Sequence, residues 1–73
     1  MTAFLHHTIN TNRPDTLPEI AAVRSAVATL ATDNPGAIVV RGWADRISVN
    51  VTSRGADLLT AVIRSLASKG MLE

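Results

Sequence analysis

Ala37-Ile38-Val39-Val40-Arg41-Gly42-Trp43-Ala44-Asp45-Arg46-Ile47-Ser48-Val49-Asn50-Val51-Thr52 alternates apolar and polar residues on either side of a glycine-containing turn. Ile38 and Val40 lead into Arg41 to Asp45, and beyond them Ile47, Val49 and Val51 interleave with Ser48, Asn50 and Thr52. Successive strand residues point to opposite faces. A period of two, with β-branched residues on one side and short polar ones on the other, therefore predicts a half-buried antiparallel hairpin.

Upstream, Ala3 to Asn10 reads as a first strand, with Leu5, His7 and Ile9 on one side and Phe4, His6 and Thr8 on the other. Thr11 to Asp15 is turn chemistry, because Pro14 fixes its own φ and biases Arg13 away from the helical region. Thr16 followed by Glu19 is a capping-box pattern and predicts a helix start. From Leu17 to about Ala31, Ile20, Val23, Val27 and Leu30 recur at helical spacing, with Arg24, Ser25, Ala28 and Thr29 opposite. Asp33-Asn34-Pro35-Gly36 ends that helix.

Downstream of the hairpin, Ser53 is the expected N-cap of a second helix, and Asp57 complements its dipole. Leu59, Val62, Ile63 and Leu66 form its expected buried stripe. Lys69-Gly70 is a stop signal, after which Met71 and Leu72 fold back on the last turn.

The order strand, helix, strand, strand, helix implies a single α+β domain over residues 1–73. Its two helices pack on one face of a three-stranded antiparallel sheet of order 1-3-2. This topology is similar to a ferredoxin-like βαββαβ fold lacking its last strand, a resemblance of topology without a shared motif. Two surfaces are left over. The first strand is a free edge, and the helix-free sheet face carries Val39, Arg41 and Trp43, Arg46, Ser48, Asn50 and Thr52, and Phe4, His6 and Thr8.

Composition narrows the chemistry. At 73 residues the chain is near the lower limit for a core unaided by disulfides or metal, and with 3% aromatic residues that core is aliphatic. No cysteine is present, so there is no thiolate nucleophile and no cysteine-based zinc site; a reducing cytoplasm is the expected setting. No basic leader with an apolar run opens the sequence, and no apolar run approaches membrane-spanning length, so an unexported protein without a membrane partner is expected. The net charge of +1 gives little drive toward nucleic acid, although Arg41, Arg46, Arg54, Arg64 and Lys69 gather in the second half.

Neither metal nor cofactor is expected. His6 and His7 are adjacent on a strand and point to opposite faces, with His7 expected to be partly buried and His6 exposed. Ser25, Ser48 and Ser53 lack the flanking sequence of a nucleophile elbow, and no glycine-rich loop precedes a helix, so no enzyme activity is expected. Arg54-Gly55 is the nearest approach to an anion site, against the reading that it is an ordinary helix start with an exposed arginine. Trp43 has two readings. At a hairpin tip beside Arg41 and Arg46 it has the composition of a binding hot spot, or else it folds over the sheet end and caps the core.

These readings lead to the expectation of a non-catalytic protein-binding module. It would be a small inhibitor or adaptor docking on a larger protein or ribonucleoprotein complex through Trp43, Arg41, Arg46, Phe4, His6 and Asn50. Small proteins of phages and other mobile elements, including inhibitors of bacterial defence systems such as CRISPR-Cas, are similar in size and economy. The alternative is a single-stranded nucleic-acid-binding protein using the open sheet face, loosely similar to an RRM but without its aromatic-rich strand signatures. A third reading is a homodimer paired through the first strand.

Overall fold

The central strand of the hairpin organises everything else. In the computed structural model, which describes residues 4–72, the elements are β1 (Leu5–Asn10), α1 (Leu17–Ala26), α2 (Ala28–Asp33), β2 (Ile38–Gly42), β3 (Ile47–Ser53) and α3 (Asp57–Ser68). The expected strand start at Ala3 lies outside the described residues. β3 lies between β1 and β2 and pairs antiparallel with both, so that Ile9 and Val40 flank Val49 from either side. This is the α+β fold with sheet order 1-3-2 that the alternation predicts.

Odd-numbered residues of β3 face the helices. Ile47, Val49 and Val51 are buried and join Val23, Val27, Val62, Leu66 and Met71 in the core, where α1 packs over β2 and α3 over β3. The core holds no aromatic ring. Its side chains are small and branched, so each contributes modest area and the fit between layers has to come from many short contacts.

The first helix is broken. Val27, with φ −109° and ψ 7°, leaves helical geometry and divides the expected single helix into α1 and α2. The Ser65 hydroxyl of α3 donates to the Ala26 carbonyl at 2.8 Å beside the break, supplying a partner from outside the helical ladder. Val23 and Val27 remain buried, with Ile20 and Leu30 packed against them, so the apolar stripe survives the change of direction.

The helix ends follow their local chemistry, with two exceptions. The Thr16 hydroxyl accepts from the Glu19 amide at 3.4 Å, as the capping box requires. The reciprocal half is absent, because the Thr16 amide donates to the Pro14 carbonyl and the Glu19 carboxylate turns to Arg13 at 3.7 Å. Ser53 does not cap α3. It is still paired opposite Leu5 in β3, its hydroxyl donates to the Gly55 carbonyl, and Ala56 occupies the N-cap position without a side-chain bond.

At the other end of α3, Gly70 adopts φ 69° and lets the chain reverse. The Met71 amide donates to the Leu66 carbonyl and the Gly70 amide to that of Ala67, a Schellman motif that drives Met71 into the core. The Met71 carbonyl in turn accepts from the Asn12 amide at 2.9 Å, tying the C-terminal turn to the β1–α1 connection.

Two expected burials fail for one reason. His7 and Ile63 belong to the helix-side patterns of β1 and α3, yet His7 is exposed and Ile63 is 41% exposed. The helices cover β2 and β3 but do not extend over β1, where Ile9 is the one strand residue drawn partly inside. No helix among the described residues is long and apolar enough to cross a membrane.

Candidate interaction surface

The helix-free face is a set of cross-strand rungs. The Thr52 hydroxyl lies 3.2 Å from His6 Nδ1, the Thr8 hydroxyl donates to Asn50 Oδ1 at 2.8 Å, and the Ser48 hydroxyl donates to Asn10 Oδ1 at 2.8 Å. Each rung joins β1 to β3 at the register their backbones impose. His6 and Asn50 are therefore tied into the sheet. Ser48 is 1% exposed although no helix covers it, because its neighbours on β1 and β2 close over so short a side chain.

Toward the hairpin tip the rungs give way to charge and an indole. Trp43 and Arg46 face one another across the turn, joined by the Trp43 amide donating to the Arg46 carbonyl at 2.8 Å. The Arg46 guanidinium lies 5.9 Å from the centroid of the Trp43 ring, within cation–π range. It is held on two further sides, by Nε donating to Asn10 Oδ1 at 3.3 Å and by an ion pair with Asp45 at 2.9 Å. Trp43 is 47% exposed and outside the core cluster, so it stands on the open face and does not cap the core.

Beside this group run Arg41 and Val39, both exposed, with Val39 at 43%. Arg41 makes no ion pair among the described residues. A shallow concavity of about 370 Å³ opens between Arg41, Val39, Asn50, Thr8 and His6.

Phe4 lies elsewhere. Its ring sits 5.4 Å from the Arg54 guanidinium at the opposite end of the sheet, where both border a groove with Leu30, Pro35 and Leu58. The seven residues of β3 lie between Arg46 and Arg54, the arginines of the two aromatic groups, a span of about 26 Å at strand rise. Arg54 thus stacks on a ring beside the helix start, as an exposed arginine and not as part of a cap.

The structure brings together Trp43, Arg46 and Arg41, links them through the rungs to Asn50 and His6, and leaves Phe4 apart. Sequence reasoning passed over Asn10, which positions Arg46; it placed Val39 on this face but not among the docking residues, although Val39 lines the concavity. The signal for Asn10 was its even parity on β1, which puts it on the same face as Arg46 and Ser48.

The charge distribution follows the layers. None of the three strands contains Asp or Glu; at the hairpin tip Asp45 is paired with Arg46, and the Asp15 carboxylate lies against Gly42 from the helix side. Among the described residues, no three His, Asp or Glu side chains gather in a metal-holding group. Comparison with protein families, with curated proteins and with solved structures finds no match.

Proposed function

We propose that this protein is a non-catalytic binding module, an inhibitor or adaptor that docks on an acidic surface of a larger protein or ribonucleoprotein through its open sheet face. The observation that carries the reading is the half-exposed Trp43 ring, backed by an arginine that Asn10 and Asp45 hold in place. Aromatic and arginine side chains dominate binding energy at interfaces, and one that is fixed beforehand loses less conformational freedom on docking. Arg41 and Arg46 on a face poor in carboxylates favour an acidic counterpart and faster encounter with it. Multisubunit assemblies of bacterial defence, such as CRISPR-Cas effectors, are the first partners to assay, since a chain this small inhibits by occupying a surface.

Single-stranded nucleic acid is the second reading, favoured by the same arginines. Base stacking needs rings near one another on the strands, whereas Trp43 and Phe4 belong to groups whose arginines stand about 26 Å apart at strand rise, and the middle of the face is Ser48, Asn50 and Thr52. The test compares quantitative affinity purification by wild type, Trp43→Ala/Arg41→Ala and the distal Arg54→Ala, with thermal melts to verify folding. The double variant is expected to lose a partner that Arg54→Ala retains. Identical recovery by all three proteins overturns the surface. Fluorescence anisotropy with single-stranded RNA and DNA at physiological salt tests the second reading, and binding tighter than about 1 μM would replace the first, since it exceeds ordinary nonspecific affinity.

A further inference from the structure

We infer that the free edge of β1 is the seat of a symmetric dimer, in which a second copy of this chain lays its own β1 antiparallel alongside and joins two three-stranded sheets into one of six strands. The backbone directions supply the first argument. The Thr11 amide donates to the Ile47 carbonyl at 2.9 Å, and the pairing runs unbroken from there to Leu5 opposite Ser53. Hydrogen bonding alternates along an antiparallel ladder, so Leu5, His7 and Ile9 turn their backbone groups to β3. His6, Thr8 and Asn10 turn three N–H and three C=O groups outward to the edge.

Nothing in β1 blunts that edge. Its sequence Leu5-His6-His7-Thr8-Ile9-Asn10 has no proline, lysine or carboxylate, and its register contains no bulge. A two-fold axis perpendicular to the sheet keeps the helix layers of both copies on one side, which requires residues of equal parity to oppose one another. With the axis through Thr8, Thr8 opposes its own counterpart and His6 opposes the second copy's Asn10. Every outward N–H and C=O of each strand then has a partner.

The helix layer supplies a matching apolar strip. Ser65 bonds to α1 and so marks one flank of α3, while Val62 and Leu66 are fully buried and mark the side on the sheet. At 3.6 residues per turn, Leu59 and Ile63 fall on the flank opposite Ser65, the one nearer β1. Ile63 and Leu5 are each 41% exposed. In that register each copy's Leu5 comes opposite the other's Thr11, and the second copy's Leu59 and Ile63 continue the apolar flank on the far side of the joined strands.

The size of the contact sets its strength. A six-residue strand is about 20 Å long, and the molecule is 21–22 Å across its shorter axes. The flat footprint is therefore on the order of 400 Å² per copy, at the low end for specific interfaces, which fits a reversible association with a micromolar midpoint.

Sedimentation velocity on the whole chain, from about 1 μM to about 1 mM so as to bracket that midpoint, reads the mass. The expected result is a shift from a 7.7 kDa species toward twice that mass. Amide exchange by NMR over the same range reads the location: protection at His6, Thr8 and Asn10 rises with concentration, while His7 and Ile9 stay constant. Ile63→Lys and Leu5→Lys, both at exposed positions, are expected to weaken association at least tenfold without unfolding the monomer. A monomer at every concentration overturns the proposal. So does a dimer whose His6, Thr8 and Asn10 amides gain no protection, or one that both lysine variants leave intact. Because Trp43 and Arg46 lie on the β2–β3 hairpin tip, none of these results depends on the open-face reading.

Discussion

Asn10 Oδ1 accepts from the Ser48 hydroxyl and from Arg46 Nε, so one amide oxygen serves the fold and the proposed docking face together. The two roles separate by mutation. Ser48→Ala removes a buried hydroxyl but leaves Asn10 free to hold Arg46, and is expected to cost about 1 kcal/mol with partner binding preserved. Asn10→Ala leaves the Ser48 hydroxyl buried without that acceptor and releases Arg46. Its expected cost is about 1–2 kcal/mol, with weaker binding as well, because Arg46 must then be ordered on docking. Urea denaturation beside a binding titration checks both; equal binding by the two variants would detach Asn10 from the docking face. The placing of Ser48, Asn50 and Arg46 on the open face was legible from the period-two pattern. The Asn10–Ser48 bond was not, since the register of β1 against β3 is set by a long helical crossover and not by adjacent residues.

The divided helix makes a similar point among elements. Ile20, Val23, Val27 and Leu30 specify a helical period, and all four pack in or against the core, but periodicity carries no information about a break that preserves it. The break is explained by a contact 39 residues away, the Ser65 hydroxyl on the Ala26 carbonyl. Ser65→Ala should therefore leave that half-buried carbonyl without this donor and cost about 1–2 kcal/mol. A loss below about 0.3 kcal/mol in the denaturation midpoint, well under a typical hydrogen bond, would mean that water or a backbone donor replaces it. The same logic accounts for His7 and Ile63. Their positions in strand and helix patterns were read correctly, and their burial was not, because burial depends on what lies beyond the edge of the sheet.

For the whole molecule, the question is how a small aliphatic core holds a fold with one sheet face open. Among the described residues, eight buried apolar ones form its centre, and a single core in a chain this short supplies only about 3–5 kcal/mol of net stability. Large-to-small changes at its centre should therefore be decisive. Leu66, fully buried and gripped by the Met71 turn, should cost about 2–5 kcal/mol as Leu66→Ala and leave much of the chain unfolded at 25 °C. Ile63 lies three residues earlier on the same helix. As Ile63→Ala it loses a side chain already 41% exposed, and in dilute solution should cost under about 1 kcal/mol. Circular dichroism melts of both variants at low micromolar concentration check the contrast. Repeated at a hundredfold higher concentration, the wild type gains stability by mass action where β1 pairs with a second copy, and Ile63→Ala gains less. The Ile63→Ala penalty should then grow with concentration while that of a monomer-core change does not. A penalty for Ile63→Ala that stays constant throughout would place this side chain outside any interface and return β1 to the status of an ordinary solvated edge.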